Sequence, residues 1–436
     1  MLIAVITITQ LTQFVNNSIV NKLLKIGFNK LIRVAPTLLD EEKNIFYNKN
    51  LKIYLEKVKM NKVTVYKAGS YSDEELFEVV AKHFEFHGIS NEINADAKVL
   101  IKPNLVADKD PAFAVATNPR FVFAIIRYLN SIGIKNITVA DCPGGALLLY
   151  SSMIDVYKKT GYSFLEEYAE LNTDFESSDV ACDHRFTNKS FNIINAIKNA
   201  DYVINVPKFK THNMTCMTAA VKNLFGCIPG LQKPAFHAKY PAIKDFSNML
   251  VELAATVKPD FTIVDAIDIM EGNGPTNGKK RHLGVTFASK DVFVLDKIIA
   301  QKLGVPEEKV ATLSAAESKG LVPKQINVIG DTDFRPDRPI LLSELSSAKT
   351  AGGKVTARIR TLIEKAEACV FMSYPKMNEK CILCGKCVLT CPKSALKIEN
   401  KKITLDKSKC IGCLCCDEMC PNGAVDIGKA LKRRLP

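Results

Sequence analysis

The chain is 436 residues long, room for about three domains of ordinary size. With 47% hydrophobic and 24% charged residues it can build a large core, which excludes disorder as its main state, and no run approaches the ~18 apolar residues of a membrane-spanning helix. The net charge of +13 points toward nucleic acid, but residues 1–60 alone carry nine basic and four acidic residues, and Lys429, Lys432, Arg433 and Arg434 crowd the other end; the remaining excess is scattered, so no nucleic-acid partner is expected.

The opening MLIAVITITQLTQF is moderately apolar, yet it lacks the basic lead and the small-residue cleavage site of a secretory leader. Residues 1–59 show no strand–turn–helix grammar, whereas Met60 directly precedes the strand-like KVTVYKA. Translation is therefore expected to start at Met60, with 1–59 an over-extended reading of the gene. An intact mass that includes them would refute this.

Residues 60–330 alternate short β-branched runs with longer segments of helical spacing. The runs are 62–67, 97–101, 136–140, 202–206 and 261–265; the helical segments include 73–87, 119–132 and 242–257. The runs are continuous rather than alternating, as in strands covered on both faces, so the expectation is an α/β domain with a largely parallel sheet. Thr117-Asn118-Pro119 supplies a capping side chain and a first-turn proline.

Four of these strands are followed by chemistry-bearing residues: Lys102-Pro103-Asn104, then Asp141-Cys142-Pro143-Gly144-Gly145, then Pro207-Lys208-Phe209-Lys210-Thr211-His212. The fourth strand ends in Asp265 and leads to Glu271-Gly272-Asn273-Gly274-Pro275. Open α/β sheets bind ligands at the carboxyl ends of their strands. Lys102, Lys208, Lys210, Lys222 and His212 would form a positive pocket for carboxylate or phosphate, with one crowded lysine lowered toward use as a base. Asp141, Asp265 and Glu271 would balance charge, move protons or hold a metal, and Asn104, Asn223, Gly272 and Gly274 would contact the substrate. The plainer alternatives are solvated loop lysines, capping aspartates and a structural histidine. No G-x-G-x-x-G follows a strand and no Walker-type loop occurs, so neither a nicotinamide site nor an ATPase is expected.

Nine of the fourteen cysteines fall between Cys381 and Cys420. Cys381-x2-Cys384-x2-Cys387-x3-Cys391-Pro392 recurs 29 residues later as Cys410-x2-Cys413-x2-Cys416-x3-Cys420-Pro421, together with Ala395/Ala424 and Ile398/Ile427. This duplication is the bacterial two-cluster ferredoxin pattern, in which three cysteines wrap one [4Fe–4S] cluster and the fourth, before proline, crosses to the other. Cys381, Cys384, Cys387 and Cys420 are assigned to one cluster, and Cys410, Cys413, Cys416 and Cys391 to the second; spacing leaves Cys415 out. Structural zinc would use two separated C-x2-C pairs. The expected layout is an α/β domain, a linker 331–376 with a helix at 354–368, a small α+β two-cluster ferredoxin-like domain 377–428 and a basic tail 429–436. A reducing, cytoplasmic setting suits such thiol chemistry.

PKFKTHNMTCMTAAVKNLFGCIPG (207–230), with KPN at 102–104, DCPGG at 141–145 and DAIDIMEGNGP at 265–275, resembles a large prokaryotic family known only as domain of unknown function 362, often fused to a two-cluster ferredoxin domain. The resemblance implies a soluble prokaryotic iron–sulfur protein, and it attaches importance to Lys102, Lys208, Lys210, His212, Lys222, Asn223, Asp265 and Glu271 without giving them roles. The leading expectation is an oxidoreductase passing electrons from an external carrier through two clusters to an anionic small molecule at the lysine-rich site. The alternatives are an electron carrier without its own catalysis, or a non-redox enzyme whose clusters are structural or sense oxidation. A second cofactor is not specified by the sequence.

Overall fold

The computed structural model describes residues 61–106, 109–144, 147, 151–343 and 371–431. The extension 1–59, the helix expected at 354–368, Gly145 and the tail residues Lys432, Arg433 and Arg434 lie outside the described residues.

Sixteen strands are described, in chain order β1 (Lys62–Lys67), β2 (Val99–Lys102), β3 (Ile137–Val139), β4 (Glu170–Leu171), β5 (Ser177–Ala181), β6 (Ser190–Ile194), β7 (Tyr202–Asn205), β8 (Lys208–His212), β9 (Cys216–Thr218), β10 (Phe261–Glu271), β11 (Lys279–Ser289), β12 (Asn327–Gly330), β13 (Phe371–Met377), β14 (Leu396–Glu399), β15 (Lys402–Leu405) and β16 (Val425–Leu431). The main sheet runs β12-β1-β11-β10-β7-β2-β3-β4, with β8 and β9 branching from β10. Its pairs are parallel except where β11 lies antiparallel to β1 and β10, and β8 to β9. Side chains alternate across it: Leu100 joins a core with the helices at Ile243–Val257 and Val292–Leu303, while Val99 and Ile101 join one with the helices at Asp73–His87 and Pro119–Ser131. Burial on both faces is why these strands read as continuous apolar runs.

Local signals act as expected. Asn118 caps its helix by accepting the Arg120 N–H, with Pro119 in the first turn, and Gly88 closes the first helix at φ +67°.

Three expectations change. β10 does not stop at Asp265 but continues to Glu271, because its polar residues find cross-strand partners: Asp265 meets Lys208, and Asp268 meets Lys280 and His282. Lys208–His212 is likewise a wholly buried strand and not an open loop. The C-terminal module also reaches further than 377–428. Its ends pair antiparallel as β13 and β16, taking in Phe371–Met377 from the expected linker and running to Leu431. The α/β domain and this module fall in one compact unit.

Candidate functional site between the sheet and the cysteine module

Lys102 closes β2, and Asp141 follows β3 beside it. Lys102 Nζ donates to Asp141 Oδ1 at 2.6 Å and to the Pro103 carbonyl at 3.1 Å, while Asp141 Oδ2 accepts the Leu105 N–H at 2.7 Å. Both side chains are buried, and Gly226 lies against them: a Cβ there would stand 2.0 Å from Asp141 Oδ1 and 2.6 Å from Lys102 Nζ. A second buried pair forms where β8 runs along β10. Lys208 Nζ donates to Asp265 Oδ2 and to the Tyr71 hydroxyl, both at 2.8 Å, and Tyr71 donates to Asp265 Oδ1. Burial pulls Lys208 below the ordinary lysine range even beside this carboxylate.

Lys210 has no carboxylate at hydrogen-bond distance. Its Nζ donates to Asn104 Oδ1 at 2.6 Å and to the Val115 carbonyl at 2.7 Å, and burial, then the neighbouring Lys222, push it well below the usual lysine range. The Asn104 amide donates to Asn223 Oδ1, and Asn223 donates to Asn205 Oδ1, each at 2.8 Å. This chain of amides holds the floor of the site. His212 Nδ1 accepts the Met214 N–H, so Nε2 carries the ring proton, 3.0 Å from Glu418 Oε1 but off the line of a full hydrogen bond. Burial lowers His212 to about 4. Burial opposes the charge on Glu418, but His212 and Lys222 outweigh it and hold its carboxyl well below the usual range.

Several of these groups line a partly open cavity of about 60 Å³ between the two domains. The α/β wall includes Asn104, Asp141, Lys210, Lys222 and Asn223; the opposite wall is Thr390, Cys415, Glu418 and Met419 of the cysteine module. Lys222 stands apart from the other lysines of this wall: among the described residues its ammonium makes no hydrogen bond or ion pair, and burial lowers it below the ordinary lysine value. Three buried polar atoms on the lining are also without partners: Thr218 Oγ1, Thr390 Oγ1 and His237 Nδ1. Buried polar atoms are nearly always satisfied, so these atoms set this lining apart.

Of the residues expected at the site, Asn104, Asp141, Lys210, Lys222 and Asn223 line the cavity. Lys102 supports it through Asp141, and His212 through Glu418. Lys208 and Asp265 do not line it, since they satisfy each other. Glu271 is also elsewhere: Arg281 and Arg338 both donate to its carboxylate, and the Leu341 N–H adds a third contact. Gly272 and Gly274 do not line the cavity. Gly272 sits at φ +82°, and a Cβ on Gly274 would fall 2.1 Å from the Thr211 carbonyl oxygen. Their loop seats the module: Thr276 Oγ1 donates to the Glu418 carbonyl at 3.0 Å, and Asn277 Nδ2 to the Asp417 carbonyl at 3.1 Å. Thr218, Thr390 and Glu418 of the lining were missed, as were Lys233 and His237. The last two share one helix at i,i+4, a spacing that puts them on one face and was legible. Lys233 donates to the carbonyls of Cys142 and Pro143.

Within the module, two apolar hollows are each bordered by four of the repeated cysteines. One is lined by Cys381, Cys384, Cys387 and Cys420, the other by Cys391, Cys410, Cys413 and Cys416. None of these thiols is in a disulfide. The turns around them repeat with the sequence, with left-handed Leu383 and Gly385 matched by Gly412 and Leu414. The Ala395 and Ala424 N–H groups donate to the sulfurs of Cys391 and Cys420 at 3.2 and 3.1 Å. Four converging thiols in a dry hollow, with N–H groups aimed at sulfur, fit a cubane cluster. No three His, Cys, Asp or Glu side chains among the described residues converge as a single metal ion would need.

Residues 99–301 match the family model described as domain of unknown function (DUF362). The thylakoid-associated protein sll1697 of Synechocystis sp. is 36% identical over 243 residues, which is 54% of this chain and 72% of that protein. The chain belongs to the DUF362 family. Residues 380–424 match a 4Fe-4S dicluster domain, so this DUF362 chain carries an iron–sulfur ferredoxin-type module. The chain is also similar to the indolepyruvate oxidoreductase subunit IorA of Archaeoglobus fulgidus, 40% identical over 55 residues, 13% of this chain and 9% of that subunit. The lactate racemase apoprotein of Thermoanaerobacterium thermosaccharolyticum superposes with a TM-score of 0.34 at 12% identity, over 59% of this chain and 57% of that one, too loosely to transfer anything. No helix among the described residues is long and apolar enough to cross a membrane.

Proposed function

We propose that this DUF362 protein is an iron–sulfur oxidoreductase that reduces or oxidises a small anion held between its two domains. One observation carries the reading: a single cavity has lysines of the α/β domain on one wall and residues of the cysteine module on the other. Cys381, Cys384, Cys387 and Cys420 would hold one [4Fe–4S] cluster, and Cys391, Cys410, Cys413 and Cys416 the other. Bound there, the clusters supply single electrons.

The remaining work falls to side chains of this chain. Lys222, uncommitted to any other group, binds the anion, and the Thr218 and Thr390 hydroxyls orient it. Lys210, lowered by burial, is suited to exchange a proton with the ligand. Lys102 and Asp141 hold the floor rigid, and the seated module keeps bulk water from that wall.

The test is a cofactor and small-molecule inventory of anaerobically purified protein beside Lys222→Gln. The expected result is about eight irons per chain in both, with a stoichiometric small anion or second cofactor released by the parent and lost from the variant. Eight irons with nothing bound in the parent, and no anion able to perturb its clusters, would leave an electron carrier and overturn the enzymatic reading.

A further inference from the structure

The two cysteine hollows are not equivalent with respect to the cavity. The hollow of Cys391, Cys410, Cys413 and Cys416 shares Cys415 with it, so the second hollow abuts the cavity. The hollow of Cys381, Cys384, Cys387 and Cys420 shares no lining residue with it. That first site instead faces outward: Cys384 is exposed, and Ile382, Leu389 and Ile398 are 64%, 59% and 49% exposed. These are three of nine large apolar side chains so exposed among the described residues, and they fall within a short stretch of chain. Ile398 also lies close to Gly385, in contact distance of any Cβ placed there, which ties the β14 side chain to the first cysteine loop.

Charge divides the same way. Between Lys376 and Lys402 seven lysines stand against two glutamates, whereas between Ile403 and Ile427 two lysines stand against four acidic residues. Lys380 is exposed beside Cys381, and Lys386 borders the first hollow. An exposed apolar patch with a rim in which one sign of charge predominates is the anatomy of a transient docking site.

We propose that the face around Ile382, Cys384 and Leu389, rimmed by Lys380 and Lys386, docks a small acidic one-electron carrier protein, so that electrons enter at the first cluster and leave toward the cavity from the second. The inference rests on the two-cluster reading above. In each transfer the carrier loses one electron and the first cluster gains it; no bond forms or breaks and no proton moves. The lysines steer the acidic partner, and the apolar centre gives close contact over the exposed Cys384.

The test uses the anaerobically purified full chain and an acidic plant-type [2Fe–2S] ferredoxin in its oxidised form, with affinity read by calorimetry at low and high salt. The expected result is binding that weakens as salt rises and a Kd at least about tenfold weaker in Lys380→Glu/Lys386→Glu. Ile382→Gln should weaken binding severalfold without changing the salt dependence. Lys244→Glu, an exposed lysine of the α/β domain, should bind as the parent does. Parent-like binding by the double variant and by Ile382→Gln would overturn the proposal, as would a parent that fails to bind at low salt. Iron is counted on every sample. About eight irons with unchanged binding in the variants refutes the docking face alone, whereas few irons in the parent refutes the cluster reading beneath it.

Discussion

Gly226→Ala tests whether the Lys102–Asp141 pair is a rigid part of the site. Gly226 has no left-handed φ, so the substitution brings no backbone strain and acts through its methyl group alone. That methyl would lie 2.0 Å from Asp141 Oδ1 and 2.6 Å from Lys102 Nζ. Asp141 cannot swing away cheaply, because one oxygen is held by Lys102 at 2.6 Å and the other by the Leu105 N–H at 2.7 Å. Breaking a buried pair costs about 3–5 kcal/mol, and the loss of chain freedom on replacing glycine returns about 0.4–1 kcal/mol. The net is a destabilisation of about 2–4 kcal/mol, roughly 30- to 1000-fold in the folding equilibrium. Urea unfolding followed through the α/β domain measures it. Gly69→Ala is the control, since its methyl would come no closer than 3.5 Å to any neighbour, the Glu75 carboxylate. A Gly226→Ala midpoint within about 1 kcal/mol of the parent would refute the claim that this pair is locked.

Two further outcomes follow from the buried charges. In Lys208→Met, Asp265 keeps only the Tyr71 hydroxyl and backbone N–H groups such as that of Asn118, so stability should fall by about 3–5 kcal/mol, and adding Asp265→Leu should recover about half of the loss. A single variant within about 1 kcal/mol of the parent, by urea unfolding, would contradict the pairing. For pH, burial lowers His87 from 6.5 to about 4, so between those values the unfolded chain takes up a proton that the fold refuses. Stability should therefore fall as pH drops from about 6.5 to 4, and His87→Gln should flatten the decline by up to about 1.4 kcal/mol per pH unit. Urea midpoints at pH 7, 5.5 and 4.5 that keep the parent's slope would contradict it.

The helix at Asp73–His87 was readable because its acidic first turn and Gly88 lie within the segment itself, and the eight repeated cysteines because duplication puts every member in one short stretch. The fate of the lysines was not readable. Lys102 and Asp141 are 39 positions apart, and Lys208 and Asp265 are 57 apart; each pair is made by strand order in the sheet, which local spacing does not encode. The Gly272–Gly278 loop misled for a similar reason. Glycines that admit a ligand and glycines that admit another stretch of backbone leave the same trace in a sequence, and here the near neighbours are Thr211 and Glu271.

Burial then decides which lysine is left for a ligand. A lysine ammonium out of water needs a carboxylate or a full set of acceptors. Lys102 and Lys208 take the aspartates, and Lys210 takes two carbonyl-type oxygens while losing much of its tendency to stay charged. Lys222 has none of these at hydrogen-bond distance, only the fields of Glu418 and Cys415 from the module side. Its charge is therefore balanced from the module side. On the function proposed above, an anion held by Lys222 would occupy the cavity whose other wall carries Glu418 and Cys415, and Cys415 also borders the hollow of Cys391, Cys410, Cys413 and Cys416.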